Sequence, residues 1–291
     1  MPAELDIVAA ENRRLVREVK ELRARVSALE SSRWWRLHPR FLLSRLRPHV
    51  SHEDPAASVA APKTASPPTV DSLTARFHDE VVARGSFRSD MVSGNFHKWE
   101  RFLTDFEGRA ARILEIGSFE GMSACYFLWR LPDARLTCID TFTGGPSFAA
   151  LGADVGGIEA AFDRNVALVD GERVCKLVGD AEHHLMGLLD DQEEFDLVFV
   201  DGSDLALDVL VDAALSWQVL VPGGVMIFDN YLWRSPLGED PLFHPAPAIE
   251  AFLGLVHGHC EVIAKDSQVV IRRLAATNVA QGATEIVAAG R

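Results

Sequence analysis

The stretch Arg112-Ile-Leu-Glu-Ile-Gly-Ser-Phe-Glu-Gly-Met-Ser123 decides the fold of this chain. An apolar segment runs into an acidic residue, Glu115, and a turn with Gly117 and Gly121 leads into the apolar run 124–131. A strand, a glycine turn and a helix in this order are typical of an open α/β sheet that binds a nucleotide at the carboxyl end of its first strand. We therefore expect a nucleotide pocket at this turn.

The acidic residue of the turn bears on which nucleotide binds there. A dinucleotide site uses the pattern G-x-G-x-x-G, which lets a pyrophosphate sit on the helix N-terminus. Glu115 stands at the place of the first glycine, and its carboxylate would repel a pyrophosphate. A cofactor with no phosphate and a cationic centre, such as S-adenosylmethionine, suits this position.

Apolar runs alternate with turn residues along most of the chain. They predict strands at 112–116, 135–139, 173–178, 196–201, 224–229, 260–265 and 268–273. They predict helices at 72–84, 122–131, 157–169, 181–190, 205–217 and 246–257. Alternating strands and helices indicate an α/β fold with a doubly wound, mostly parallel sheet. The last two strands flank Lys265-Asp-Ser267, so the seven-stranded, Rossmann-like sheet ends in a hairpin with an antiparallel edge strand.

The first 30 residues have a heptad pattern. Apolar residues and one asparagine fall on the a positions Leu5, Asn12, Val19 and Val26 and on the d positions Val8, Leu15, Leu22 and Leu29. β-Branched residues at a, leucine at d and one asparagine at a favour a parallel two-stranded coiled coil. We expect a homodimer through residues 5–29. The alternative is a single amphipathic helix that packs on its own domain.

Three further segments differ in composition from the globular part. Residues 31–48 contain two tryptophans and five arginines, which suggests contact of residues 33–47 with a membrane surface, or a basic capping turn after the coil. Residues 49–70 are rich in Pro, Ala, Ser and Thr and read as a disordered linker. The globular domain is expected at 71–274, and the tail 275–291 has no structural signal.

Charge and cysteine content exclude several classes of protein. Residues 1–50 carry 11 basic and 6 acidic residues, whereas the remainder carries 18 basic and 36 acidic residues. The acidic part is a poor nucleic-acid binder, because neutralising phosphates requires Lys and Arg. The chain has no apolar run of 18 residues, no signal-peptide core and no C-x-x-C pair among its four cysteines. These features predict a cytoplasmic protein, and the contact expected of residues 33–47 would attach it peripherally to the inner face of the membrane.

Acidic residues follow the second and third predicted strands. Asp140, about twenty residues beyond the glycine turn, can hold a ribose diol or cap a turn. Asp180 lies in the loop after strand three, which borders the nucleotide base in such a sheet. It is equally suited to cap the helix that follows.

Oxygen ligands follow the fourth and fifth predicted strands. Asp201, Asp229 and Asn230 are expected to converge, because these strands should be neighbours and both end over the pocket. Carboxylate and amide oxygens suit Mg²⁺, which can bind a substrate hydroxyl and lower its pKa. The alternatives are that these residues cap loops or that Asp201 only touches the cofactor.

The base that would accept the hydroxyl proton is less well defined. The candidates are Asp204, His97, His244 and Tyr231. Histidine has the unperturbed pKa best suited to the task. With ten histidines in the chain, however, most are expected to be surface or packing residues.

Residues 87–273 resemble class I S-adenosylmethionine-dependent methyltransferases. More narrowly, they resemble the bacterial branch related to macrocin and cephalosporin-pathway O-methyltransferases, and more distantly catechol O-methyltransferase. The matching stretches are Ile113 to Ser123, Leu136 to Gly145, Phe162 to Asn165, Phe195 to Ser203 and Pro222 to Tyr231. A short Trp-Arg…Pro element within 31–48 also resembles one appended to bacterial cell-surface glycan biosynthesis proteins.

The resemblance implies roles for individual residues. It places the cofactor at Glu115, Gly117, Ser118, Phe119, Gly121, Ser123, Asp140, Thr141, Asp180, Ala181 and Asp201. Asp201, Asp229 and Asn230 match the metal positions of catechol-type enzymes. Relatives often read Asp-Gly-Ser-His where this chain has Asp204, so the base among Asp201, Asp204 and His97 is left open.

These observations predict an S-adenosylmethionine-dependent O-methyltransferase, assisted by Mg²⁺, that acts on a hydroxyl of a sugar, glycan or natural product. One alternative is an inactive, cofactor-binding scaffold of a membrane-associated glycan biosynthesis complex. A nicotinamide-dependent oxidoreductase is disfavoured by Glu115.

Overall fold

A computed structural model describes residues 70–144, 154–233 and 240–275. The predicted coiled coil, the basic segment, the linker and the tail lie outside these ranges, apart from the edge residues 70 and 275. Residues 145–153 and 234–239 lie outside them as well.

Seven strands form one sheet, which confirms the predicted fold class. The strands are β1 (Arg112–Ile116), β2 (Arg135–Asp140), β3 (Val174–Val178), β4 (Phe195–Val200), β5 (Leu220–Phe228), β6 (Cys260–Lys265) and β7 (Val269–Arg273). Their order is β3-β2-β1-β4-β5-β7-β6. The first five strands are parallel, whereas β7 is antiparallel to both β5 and β6. The C-terminal hairpin therefore supplies the antiparallel edge.

Seven α-helices connect or precede the strands within the described ranges. They are α1 (Val70–Glu80), α2 (Phe96–Leu103), α3 (Met122–Arg130), α4 (Ile158–Ala167), α5 (Ala181–Asp190), α6 (Ala206–Val219) and α7 (Pro245–Leu255). None of these helices is long and apolar enough to cross a membrane. Six match predicted helices to within a few residues, and α2 was not predicted. The predicted helix 72–84 ends at Glu80 and is followed by a 3₁₀ turn at Val82–Arg84.

Two apolar layers enclose the sheet. Successive side chains of a strand point to opposite faces, so Ile113 packs with α2, α3 and α4, whereas Leu114 packs with α5, α6 and α7. By the same alternation Glu115 points to the face of Ile113, into the first layer. The sheet is therefore buried on both faces, as a parallel sheet requires.

The strand order locates the functional site. β1 lies between β2 and β4. After β1 the chain forms β2 and β3 on one side of it, and then crosses to form β4 and β5 on the other side. Ligands of open α/β sheets bind at such a switch point, outside the carboxyl ends of the strands. The turn after β1 and the loops after β2, β4 and β5 all meet there.

Candidate functional site

Glycine is required at position 117 for two reasons. The backbone of Gly117 has φ +84°, a left-handed conformation that side chains disfavour. A Cβ atom there would also lie 2.2 Å from the carbonyl oxygen of Asp201. The turn after β1 and the loop after β4 can approach this closely only because residue 117 has no side chain.

Asp140 holds two strained aromatic residues in place. Its Oδ2 accepts a hydrogen bond from the backbone N–H of Phe119, and its Oδ1 accepts one from that of Phe142, both at 2.7 Å. Phe119 has φ +48° and Phe142 has φ +53°, a region that bulky residues rarely adopt. The carboxylate of Asp140 therefore fixes the shape of both loops. This is the turn-capping role that the sequence offered beside binding of a ribose. The remaining lone pairs of this carboxylate can still accept hydrogen bonds from the hydroxyl groups of a ribose.

A cleft opens between the glycine turn and the segment that precedes α2. Its lining is partly apolar and partly hydroxyl-bearing: Phe87, Ser89, Met91, Val92, Gly117, Ser118, Phe119, Glu120, Met122, Ser123 and Asp201. Five residues of the expected cofactor set are among these: Gly117, Ser118, Phe119, Ser123 and Asp201. The residues from Phe87 to Val92 were assigned no cofactor role from the sequence, because the segment has no motif.

Glu115 is completely buried. Burial raises the pKa of its carboxyl to about 7, the nearby charge of Asp140 adds to the increase, and the side chains of Ser118, Ser123 and Cys138 offset part of it. Glu115 Oε2 lies 3.5 Å from Cys138 Sγ. Glu115 Oε1 and Ser118 Oγ are buried and make no hydrogen bond of ordinary geometry to any residue of the described ranges. The site thus keeps unused hydrogen-bonding capacity beside the cleft.

The three predicted metal ligands lie at the ends of β4 and β5. Asn230, at φ +62°, donates a hydrogen bond from Nδ2 to Asp201 Oδ1 at 2.9 Å. Asp229 is buried, and its Oδ1 accepts a hydrogen bond from Nε2 of Gln268 at 3.0 Å. Across the described chain, no three His, Cys, Asp or Glu side chains group to hold a metal ion. The predicted set therefore depends on Asn230 as the third ligand.

Gln268 was missed by the sequence reasoning, yet it positions Asp229. Its side chain is fully buried, and Trp99 Nε1 donates to its Oε1 at 2.9 Å. An indole N–H can only donate, so the amide oxygen of Gln268 must face Trp99 and its NH₂ must face Asp229. No local pattern signals this role, because Trp99 and Gln268 are 169 residues apart.

The candidate bases occupy different environments. None of the four is among the residues that line the described cleft. His97 is exposed on α2, Asp204 is half-buried in the loop after β4, and His244 is buried next to α7. The Tyr231 hydroxyl donates a hydrogen bond to Glu250, which together with burial raises the pKa of Tyr231. This hydroxyl is therefore poorly suited to accept a proton.

The remaining predicted cofactor residues border the carboxyl ends of β2 and β3. Thr141 Oγ1 lies 2.9 Å from Thr143 Oγ1. Asp180 is exposed at the N-cap position of α5, but its side chain makes no capping hydrogen bond, and Ala181 follows as the first helical residue. The carboxylate of Asp180 is thus not used by the helix.

Comparison with known proteins finds a family model that matches part of the chain. Residues 114–231 match the family model described as a methyltransferase domain. A curated relative, "Probable caffeoyl-CoA O-methyltransferase 3" of Dictyostelium discoideum, is 26% identical over 172 residues, which cover 55% of this chain and 63% of the relative. The chain thus spans less than two-thirds of the length of this relative.

Solved structures of methyltransferases are similar to this chain at low identity. The O-methyltransferase from Bacillus cereus in complex with SAH is 18% identical with a TM-score of 0.49, covering 72% of this chain and 92% of that one. TomG from Streptomyces achromogenes, in complex with SAM, is 22% identical with a TM-score of 0.46, covering 73% and 92%. The MycE methyltransferase, in complex with Mg and SAH, is 16% identical with a TM-score of 0.49, covering 71% and 55%. The match to a methyltransferase domain thus covers residues 114–231, from β1 to just beyond the end of β5.

Proposed function

We propose that the protein is an O-methyltransferase that transfers the methyl group of S-adenosylmethionine to a hydroxyl oxygen. The observation that carries the proposal is the cleft at the carboxyl end of β1. It is bounded by the turn at Gly117 and adjoins Asp201, which contacts Asn230. The match to a curated O-methyltransferase supports the same chemistry.

The cleft fits the cofactor chemically. Hydroxyl groups of Ser89, Ser118 and Ser123 suit the polar amino-acid part, and the rings of Phe87 and Phe119 suit an apolar base or ribose face. The Ser118 hydroxyl lies beside Glu115 and makes no hydrogen bond of ordinary geometry to the described residues, so it retains hydrogen-bonding capacity for a ligand. When bound, the cofactor supplies an electrophilic methyl group.

The chain's own residues contribute by alignment. Asp140 fixes the turn at Phe119, and the contact between Gly117 and the Asp201 backbone sets the distance between the cofactor turn and the loop after β4. Holding two reactants in line replaces an encounter in solution with an effectively intramolecular step, which is a large entropic advantage. The candidates for accepting the hydroxyl proton are Asp201, which lines the cleft, Asp204 in the same loop after β4, and His97 on α2.

We further propose Mg²⁺ assistance through Asp201, Asp229 and Asn230. Hard oxygen ligands are the donors that Mg²⁺ prefers, and the metal, when bound, would lower the pKa of the acceptor hydroxyl. The hydrogen bond from Gln268 orients Asp229 for this purpose.

The acceptor and the assembly are also proposals. We infer a sugar, glycan or natural-product hydroxyl as the acceptor, a homodimer through residues 5–29, and a cytoplasmic enzyme that contacts the membrane through residues 33–47. The dimer and the membrane contact rest on the sequence patterns of the N-terminal segments. The acceptor rests on the Trp-Arg element and on the family resemblance, and the cytoplasmic location rests on the cysteine and hydropathy patterns.

Titration calorimetry tests the function. We expect the folded protein to bind S-adenosylmethionine and its demethylated product with measurable heat, and NAD⁺ with none. Absence of heat with both sulfur compounds, in a sample folded by circular dichroism, would contradict the proposal. Transfer of a labelled methyl group to any hydroxyl acceptor would exclude an inactive scaffold.

A double substitution tests the metal site. We expect Asp229→Ala/Asn230→Ala to abolish EDTA-sensitive methyl transfer, because two of the three oxygen ligands are lost. Cofactor affinity should change little, since neither residue lines the cleft. The control is Asp133→Ala, an exposed carboxylate in the turn before β2, at the opposite edge of the sheet. Activity that remains unchanged in the double variant would rule out the metal ligands proposed.

A further inference from the structure

Residues 85–92, which we call the strap, form one wall of the cofactor cleft. Phe87, Ser89, Met91 and Val92 of the strap line the cleft opposite the glycine turn. The strap lies between two 3₁₀ turns, Val82–Arg84 and Ser93–Asn95, and itself contains neither helix nor strand. Its position must therefore be set by side-chain contacts with the rest of the domain.

Two buried polar side chains bind the strap to the domain. The Arg88 backbone N–H donates to Glu120 Oε2 at 2.7 Å, and Arg88 Nε donates to Glu120 Oε1. The Ser86 backbone N–H donates to Asn165 Oδ1 at 2.6 Å. Asn165 Nδ2 in turn donates to the Glu120 carbonyl oxygen at 2.8 Å. One network thus joins the strap, the glycine turn and α4.

The pair of Glu120 with Arg88 is the charged centre of this network. The Glu120 side chain is only 2% exposed, although it lies within the turn that faces the cleft, whereas Arg88 is 40% exposed. Arg88 also donates from Nη1 to the carbonyl oxygen of Asp154, on the approach to α4. A buried carboxylate needs a partner, because an unpaired buried charge is costly. Arg88 therefore cannot leave Glu120 without a large penalty while the turn stays closed.

We propose that Arg88 and Glu120 form a latch that positions the strap against the bound cofactor and sets how slowly the cofactor dissociates. The inference rests on the proposed cofactor site. Glu120 adjoins Phe119 and Gly121 in the turn, and the strap contributes the apolar side chains Phe87 and Met91 to the opposite wall. Opening of this wall separates the two sides of the cleft, and opening requires the ion pair to break.

Stopped-flow measurement of S-adenosylmethionine dissociation tests the latch. Arg88→Met keeps the apolar stem and removes the charge, so we expect the dissociation rate constant to rise about 10- to 100-fold, as for loss of a hydrogen bond to a charged group. The association rate constant should change much less. Arg88→Lys should recover part of the slow dissociation, and Glu120→Gln should resemble Arg88→Met.

A matched control and a double variant separate positioning from general stability. Arg112→Met removes a half-exposed arginine that pairs with Glu193 at the amino end of β1, far from the cleft, and should leave dissociation unchanged. Arg88→Met/Glu120→Gln should dissociate no faster than the more affected single variant, because both remove one interaction.

Two results would overturn the latch, and they differ in what else they exclude. If the wild-type protein binds the cofactor but Arg88→Met dissociates at the wild-type rate, the latch is wrong and the proposed function stands. If the folded wild-type protein binds no cofactor, both proposals are wrong. A lower melting temperature of Arg88→Met with unchanged dissociation would assign the pair a structural role only.

Discussion

Gly117→Ala is expected to reduce methyl transfer about 100-fold and to destabilise the domain by roughly 2–5 kcal/mol. The new methyl group would lie 2.2 Å from the Asp201 carbonyl oxygen, and φ +84° disfavours any side chain. The backbone of the loop after β4 must then move away, which shifts Asp201 relative to the cleft. Steady-state kinetics and urea unfolding measure the two effects.

Gly108→Ala is the control for Gly117→Ala. Gly108 also has a positive φ, +66°, but a Cβ atom there would meet nothing within 4 Å. This variant carries the backbone strain without the clash, so we expect a loss of only about 1–2 kcal/mol of stability and unchanged kcat/KM. If Gly117→Ala is no worse than Gly108→Ala in either measurement, the close approach of the two loops does not matter for catalysis.

Glu115→Gln is expected to stabilise the protein at pH 8 and to leave its stability at pH 4.5 nearly unchanged. The folded-state pKa of Glu115 is raised from 4.5 to about 7 by burial. Between these values the folded state holds a proton that the unfolded state has released, so the free energy of unfolding falls as pH rises. The free energy of unfolding decreases by about 3 kcal/mol in total, and the decrease is complete above about pH 7. Glutamine resembles the protonated carboxyl and removes this loss.

Asp212→Asn separates the contribution of Glu115 to the pH dependence of stability from the contribution of Asp212. Asp212, on α6, is buried, and burial together with the charges of Asp208 and Glu182 raises its pKa to about 7. Each single variant should therefore remove part of the pH dependence measured by urea unfolding from pH 4.5 to 8, and the double variant most of it. If the free energy of unfolding of Glu115→Gln fell with pH as steeply as that of the wild-type protein, the pKa of Glu115 would not be raised in the folded state.

The same Glu115 variant tests the role inferred from the sequence. If the carboxylate recognises the cationic cofactor, S-adenosylmethionine affinity at pH 8 should fall in Glu115→Gln, since the attraction to a negative charge is lost. Equal affinity of both proteins would mean that Glu115 acts only through packing beside Ser118 and Ser123.

The order of elements could be predicted because it depends on local periodicity. The apolar run at 112–116 and the glycines after it predict a strand and a turn from neighbouring residues alone. The strand bounds agree within about a residue except for β5, which begins at Leu220 rather than at 224. Its start pairs with Phe195 across an irregular register, a contact between distant segments. Helix α2 was missed although Phe96, Trp99, Phe102 and Leu103 form its buried face.

The amino-acid sequence by itself determined the α/β class, the position of the cleft after β1 and several residues that line it, among them Gly117 and Ser123. Each follows from spacing within about a dozen residues, where backbone conformation depends on near neighbours. Only the tertiary structure decided that Glu115 is fully buried, that Gln268 orients Asp229 and that Glu120 holds Arg88. These contacts join residues far apart in the chain, and their energies depend on burial, which arises only when the layers pack together.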